Sequence, residues 1–286
     1  MEGTTINPVE FRDAQRQQWN TAATGWNKWR ELMEERVSVI SERLVELAGV
    51  ESGSRVLDVA CGLGEPTRTA AKAAGPDGSV VATDISVEML AFARELAKAG
   101  GLDNVEFVEA DASSLDFPQD SFDAAVSRWG IIFEPDAEGA AARIRSYLKP
   151  GARMAISSWG QPERVPMLAV PMHTAMKRLD VPPPPPGTPG PLSRPTHEAT
   201  AALLEGGGFS DVEVEEEEVV VEWESPEQFT TFVKEIAPPI TAMIEPHPEE
   251  VQQATWAAIT EAIAELAEKD GTVRLTNLVL MAAGKA

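Results

Sequence analysis

Asp84 and Asp111 each close a short apolar run, where a carboxylate can accept hydrogen bonds from a ligand's hydroxyl or amino groups. Upstream lies Asp58-Val-Ala-Cys-Gly-Leu-Gly64, which follows a β-branched run and opens an alanine-rich stretch. Gly62 and Gly64 carry no Cβ, so a ligand can approach the backbone closely, and amides near a helix start can donate to it. Asp84 stands 20 residues after Gly64. At a strand end, that spacing suits an acid accepting from both hydroxyls of a ribose, as in dinucleotide-binding folds. Asp111, in Glu-Ala-Asp-Ala, is placed to accept from an adenine amino group while the Ala112 amide faces a ring nitrogen. Each feature also has a purely structural explanation: a tight turn for the glycines, a turn or cap for the two aspartates.

The elements that must position these residues are legible from periodicity. Residues 8–49 read as helical with a break near Gly25. Short strands follow at Arg55–Ala60, Val80–Ile85, Val105–Ala110, Phe122–Ser127 and Arg153–Trp159, with helical stretches at Pro66–Ala74, after Ser86, and at Ala137–Leu148. Ser86 is a good N-cap, and Lys149-Pro150-Gly151 turns the chain into the fifth strand. Strands alternating with helices imply an α/β, doubly wound, mostly parallel sheet whose crevice lies at the C-terminal strand ends. The residues singled out above fall at such ends. After Trp159 the pattern loosens: Pro182–Pro186 is five consecutive prolines, and 181–195 reads as a stiff extended loop. Thr196–Leu204 is helical, Val212–Trp223 a long acidic strand, 226–269 a set of inserted helices, and Val273–Ala283 a last strand.

Composition narrows the class. With 43% apolar and 24% charged residues over 286 positions, one elaborated α/β domain fits better than two independent ones. A net charge of −22 repels phosphate backbones and anionic lipid, which argues against nucleic acid and membrane partners without identifying the substrate. Cys61 is the single cysteine, so an intrachain disulfide and a cysteine-rich zinc site are excluded, and three scattered histidines suggest no metal. Residues 1–12 are polar and lack the apolar segment of a secretory signal. No run of about 18 apolar residues exists, so the expected location is the cytoplasm.

The ordered series VLDVACGLG, VVATDIS-x-x-ML, VEFVEADA, DSFDAAVSRWGIIF and YLKPGARMAISSW resembles the class I S-adenosylmethionine-dependent methyltransferases. Among them it is most similar to the menaquinone/ubiquinone C-methyltransferase-like group and its small-molecule relatives. The resemblance covers 55–159 well, 10–50 loosely, and 160–286 only in the order of a helix, a long strand and a last strand. It implies a Rossmann-like seven-stranded sheet with an antiparallel last strand. It further implies a helical lid over 1–50, a cofactor-binding core over 51–160, and completion of the sheet over 161–286. Carried over by position, Asp58, Ala60, Cys61, Gly62 and Gly64 would surround the methionine part of S-adenosylmethionine. Asp84 would hold the ribose, Ile85 and Met89 would lie against the adenine, and Asp111 and Ala112 would bind its edge. Ser127 would offer its backbone to the methionine ammonium, with Arg128 and Trp129 following into the active site. Two positions depart from the pattern: Ala60 replaces a motif glycine, and Trp26 or Trp19 stands where a lid tyrosine is expected.

The activity so implied is methyl transfer by in-line displacement, in which alignment can supply about 7–11 kcal/mol. A base is needed only for a protonated nucleophile, and the candidates are His173, then Glu134 and His197. Trp29, Arg128, Trp129, Phe133 and Trp159 are expected to line the substrate pocket, with Trp223, Phe229 and Phe232 also available. Such walls suit an apolar or aromatic acceptor; carbon, nitrogen and oxygen acceptors all stay open. The 226–269 insertion is either a lid or a homodimer face. A cofactor-binding subunit without catalysis is a second reading. A nicotinamide-dependent oxidoreductase is a third, although Thr67 stands where its fingerprint needs glycine.

Overall fold

Val56 and Leu57 point to opposite faces of β1 (Arg55–Val59), and both are fully buried, because helices cover the sheet on each side. The computed structural model describes residues 8–185 and 187–286. Its strands continue with β2 (Ser79–Asp84), β3 (Val105–Glu109), β4 (Phe122–Arg128), β5 (Leu148–Trp159), β6 (Ser210–Trp223) and β7 (Val273–Lys285). They form one seven-stranded sheet in the order β3-β2-β1-β4-β5-β7-β6. β1 to β5 run parallel, and β7 enters antiparallel between β5 and β6.

Ten helices are present among the described residues: α1 (Pro8–Lys28), α2 (Arg30–Leu47), α3 (Thr67–Ala74), α4 (Val87–Ala99), α5 (Ala137–Tyr147), α6 (Pro166–Leu179), α7 (His197–Gly206), α8 (Pro226–Ile236), α9 (Pro238–Ile244) and α10 (Glu249–Ala264). The larger core packs α2, α6, α8 and α10 on the Val56 face; the smaller one packs α5 and α7 on the Leu57 face. Ser86 caps α4 by accepting the Met89 amide at 3.1 Å, which anchors the chain as it leaves β2.

Three expectations need correction. The helix does not break at Gly25: α1 runs on to Lys28, and the Trp29 amide still donates to the Gly25 carbonyl at 3.0 Å. Gly25 serves packing instead, since a Cβ there would lie 2.1 Å from the Glu235 carbonyl oxygen of α8. Residues 149–152 do not form a turn before β5 but bulge within it, as the pairing shifts from Phe122↔Leu148 to Ala124↔Arg153. Helix α6 lies in the stretch where periodicity had loosened, its pattern masked by Pro166 and by Pro171 inside the helix. Residues 181–185 have no regular secondary structure, and Pro186 lies outside the described residues.

Candidate functional site

The strand order reverses between β1 and β4, the place where a doubly wound sheet opens a crevice at its C-terminal edge. A cavity of about 250 Å³ lies there. Ala60, Cys61 and Gly62, in the turn after β1, form one wall. Ala60 holds φ at 57°, a left-handed backbone that costs an L residue about 1–2 kcal/mol. Its methyl group explains Gly130: a Cβ on residue 130 would sit 2.4 Å from the Ala60 Cβ. The loops after β1 and β4 therefore meet only because residue 130 has no side chain.

Asp84 ties this turn to the end of β2. One carboxylate oxygen accepts the Gly62 amide and the other the Ser86 amide, each at 2.8 Å. Burial pushes its carboxyl up to about 6, against the pull of the Ser86, Gly62 and Ile85 amides. Asp84, Ile85 and Met89 all line the cavity.

Asp111 and Ala112 line it too, and the Asp111 carboxylate already has partners. The Asp111 carboxylate accepts from the Ser113 and Ser114 hydroxyls at 2.5 and 2.8 Å, and from Arg12 at 3.3 Å. Burial raises this carboxyl, but those hydrogen bonds and the Arg12 charge outweigh burial and hold it below its ordinary value. Glu134 lines the same cavity. Burial, then the charge of Asp111, pushes the Glu134 carboxyl up to about 7.

Asp58, Gly64 and Ser127 are not among the residues that line the cavity. Asp58 is fully buried: one oxygen accepts from the Thr67 hydroxyl, and Oδ1 has no donor among the described residues. Gly64 (φ 91°) packs on α4, where a Cβ would meet the Ala93 Cβ at 3.3 Å. The buried Ser127 hydroxyl donates to the Val59 carbonyl and accepts from the Ile131 amide, bracing the β4 loop.

Asp58 yields a pH prediction. Burial lifts its carboxyl to about 7, against Thr67 and the Arg128 charge, while the unfolded value is near 3.8. A folded pKa above the unfolded one means its stabilising contribution is complete at low pH and is lost as pH rises through about 7. Asp58→Asn keeps the shape and removes that titration. Its stability relative to the natural protein should therefore increase by on the order of 3 kcal/mol between pH 4 and pH 8. Denaturant unfolding across that range checks it; parallel curves for the two proteins would refute it.

Helices α1 and α2 roof the cavity with Trp19, Trp26, Arg30, Met33, Glu34 and Val37. Arg12 binds Asp111, the Gln15 amide donates to the Phe133 carbonyl at 3.0 Å, and Asn20 meets the Ser86 hydroxyl at 2.7 Å. The Trp26 indole donates to the Ile236 carbonyl at 3.1 Å, and Trp19 stands edge-on to Phe133 at 5.3 Å. Sequence reasoning missed Arg12, Gln15 and Asn20, because polar helix residues carry no signal until the partner surface is known.

Trp129 and Trp159 stack at 4.4 Å within 4° of parallel, and with Phe133 they line the same cavity. Trp129 (φ 54°) is a second strained residue, and its indole nitrogen is buried without a partner among the described residues. Arg128 faces the cavity as well. Trp29 does not: it turns away to Glu235 and packs on Phe232 at 5.6 Å. Trp223, Phe229 and Phe232 belong to the core. His173 is exposed on α6, outside the cavity lining, so it does not fit the role of base. His197 is bound to Glu216 at 3.2 Å on an exposed site. Among the described residues, no group of three His, Cys, Asp or Glu could hold a metal ion, and no helix is long and apolar enough to cross a membrane. Thr67, at the position a nicotinamide fingerprint reserves for glycine, is spent on Asp58.

Residues 56–151 match a family model described as a methyltransferase domain. The ubiquinone/menaquinone biosynthesis C-methyltransferase UbiE of Pseudomonas savastanoi pv. phaseolicola is 40% identical over 119 residues, 41% of this chain and 46% of that protein. The chain thus spans about half the length of that curated relative. The YcgJ protein of Bacillus subtilis superposes with a TM-score of 0.54 at 18% identity, covering 86% of this chain and 97% of that one. Phosphoethanolamine N-methyltransferase 2 of Haemonchus contortus, in complex with phosphomonomethylethanolamine and S-adenosylhomocysteine, gives 0.50 at 21% identity, covering 91% and 52%. At these identities the two structures share the fold.

Proposed function

We propose small-molecule methyl transfer for this chain, whose residues 56–151 form a class I S-adenosylmethionine-dependent methyltransferase domain related to the ubiquinone/menaquinone C-methyltransferases. The observation that carries the reading is one cavity that joins the Asp84–Gly62 turn to an apolar chamber walled by Trp129, Trp159 and Met33. Nucleoside recognition and room for an acceptor meet in a single space.

The residues fit S-adenosylmethionine. The Asp84 carboxylate faces the cavity with lone pairs left for ribose hydroxyls, and Gly62 leaves its turn open. Ile85 and Met89 offer an apolar surface for adenine, and Ala112 borders the same space. When bound, the cofactor supplies an activated methyl group on a sulfonium.

The chain's own work is then orientation and exclusion of water. The parallel indoles of Trp129 and Trp159 present a flat wall that favours a planar, apolar acceptor. Trp26, held by Ile236, closes the α1 side and keeps water out of the chamber. Holding the acceptor's nucleophile in line supplies much of the rate, and a phenol or quinol gives up its proton to solvent or to a cavity carboxylate such as Glu134. Residues Ile236 to Ile240 of the insertion line the cavity, which favours the lid role over a homodimer face.

Incubation with isotopically methyl-labelled S-adenosylmethionine and a panel of phenols, quinols and aromatic amines tests this reading, with label transfer read by mass spectrometry. Transfer to planar apolar members, and not to nucleic acid, is expected. Tight cofactor binding with no transfer to any class of acceptor would instead favour a cofactor-binding subunit.

A further inference from the structure

Between α6 and α7 the described residues form neither helix nor strand, and the two halves of this segment differ. Residues 182–185 are exposed, whereas residues 188–196 are half-buried. The half-buried part is organised by a turn in which the Ser193 amide donates to the Gly190 carbonyl at 3.1 Å. Pro191 takes the first central position, where its fixed φ suits the turn, and Leu192 takes the second. Both central residues line the cavity.

The turn is fastened to both segments that carry the indole pair. The Ile132 carbonyl, in the loop that holds Trp129, accepts the Ser193 hydroxyl at 3.1 Å and the Gly190 amide at 3.4 Å. The Arg194 carbonyl accepts the hydroxyl of Ser158, the neighbour of Trp159, and that of Thr200, each at 3.0 Å. The Arg194 side chain pairs with Glu138 of α5 at 2.8 Å. Leu192 itself packs against the core cluster that contains Trp159. Its place relative to the two indoles is therefore set by backbone and hydroxyl contacts on either side of it. Other apolar walls of the cavity yield more easily: Met33, Met167 and Met172 are unbranched thioethers that change shape at little cost. A branched side chain on a pinned turn is a fixed stop.

We infer that Leu192 is a specificity-determining residue, the stop that limits how large a planar acceptor can lie on the Trp129–Trp159 wall, and that Ser193 is the positioning residue that holds it there. The inference rests on the proposed acceptor chamber and adds its size limit. It also gives a role to the segment after the proline run, where sequence periodicity carries no signal. One methylene more or less in an apolar pocket changes discrimination between substrates by about 10- to 200-fold, so trimming or enlarging Leu192 has a readable effect.

Phenol, 2-naphthol and 2-hydroxyanthracene, as acceptors of one, two and three rings, test it on the full chain with methyl-labelled cofactor. Leu192→Ala should raise kcat/KM for the three-ring acceptor relative to phenol by at least about 10-fold, and Leu192→Phe should lower that ratio by a similar factor. Ser193→Ala leaves Leu192 in place and frees the turn, so it should raise the same ratio by about 3-fold, as loss of one hydrogen bond implies. A purely structural role for Ser193 would lower all three acceptors alike. Quenching of tryptophan fluorescence by the three phenols, with the demethylated cofactor bound, reads acceptor binding apart from turnover and should follow the same order. Melting curves verify that the variants fold. Ratios that stay at the natural value in Leu192→Ala and Leu192→Phe, with methyl transfer intact, overturn the inference and leave the proposed function standing. Failure of the folded natural protein to bind or methylate any of the three phenols rejects the planar-acceptor reading and the inference with it.

Discussion

Asp84→Ala should weaken S-adenosylmethionine binding by on the order of 100-fold or more. Two ribose hydroxyls donating to one carboxylate are each worth about 1.5–3 kcal/mol, and about 1.4 kcal/mol is tenfold in affinity. The same carboxylate accepts the Gly62 and Ser86 amides, so the alanine variant also loosens the turn that borders the cavity. Asp84→Asn is the milder change, since it leaves an acceptor for only one of the two amides. It retains one acceptor for the amides while removing the charge that strengthens the ribose contacts. The pH dependence has a definite sign. Binding favours the ionised carboxylate, and burial has raised its pKa to about 6, so affinity should fall as pH drops through that value and flatten above it. Titration calorimetry with the cofactor and its demethylated product, from pH 5 to pH 8, measures all of this. Full affinity in Asp84→Ala would remove the ribose contact from the site.

Gly25→Val should weaken cofactor binding by about 10- to 100-fold with little change in the sheet. The added Cβ would sit 2.1 Å from the Glu235 carbonyl oxygen, which is backbone of α8 and has no rotamer to give. Overpacking of this kind costs about 1–3 kcal/mol, met here by displacing α1. With α1 go four contacts on the cavity: Arg12 to Asp111, Gln15 to Phe133, Asn20 to Ser86, and Trp26 to Ile236. Limited proteolysis should cut α1 faster in the variant, and cofactor should slow that cleavage in the natural protein more than in the variant. Unchanged affinity with α1 released would mean the roof plays no part in cofactor binding.

The sequence by itself determined the alternating strands from Arg55 to Trp159, because strands buried on both faces read as unbroken apolar runs, as Val56 and Leu57 on opposite faces demonstrate. It also located the turn at Ala60–Gly64, the acid at Asp84 and the cap at Ser86, since each is a local demand of a strand end or helix start. Tertiary structure decided what faces the cavity. The Asp58 carboxylate meets Thr67, the Ser127 hydroxyl meets Val59 and Gly64 packs on Ala93, and none of the three lines the cavity. The tryptophans divide the same way: Trp26, Trp129 and Trp159 line the cavity, while Trp29 and Trp223 pack elsewhere. Periodicity gives a side chain's face on its own element and is silent about which distant element meets that face. Gly25 against Glu235, Arg12 against Asp111 and Ser41 against Arg128 are long-range meetings of that kind, and they exist only once the chain has folded.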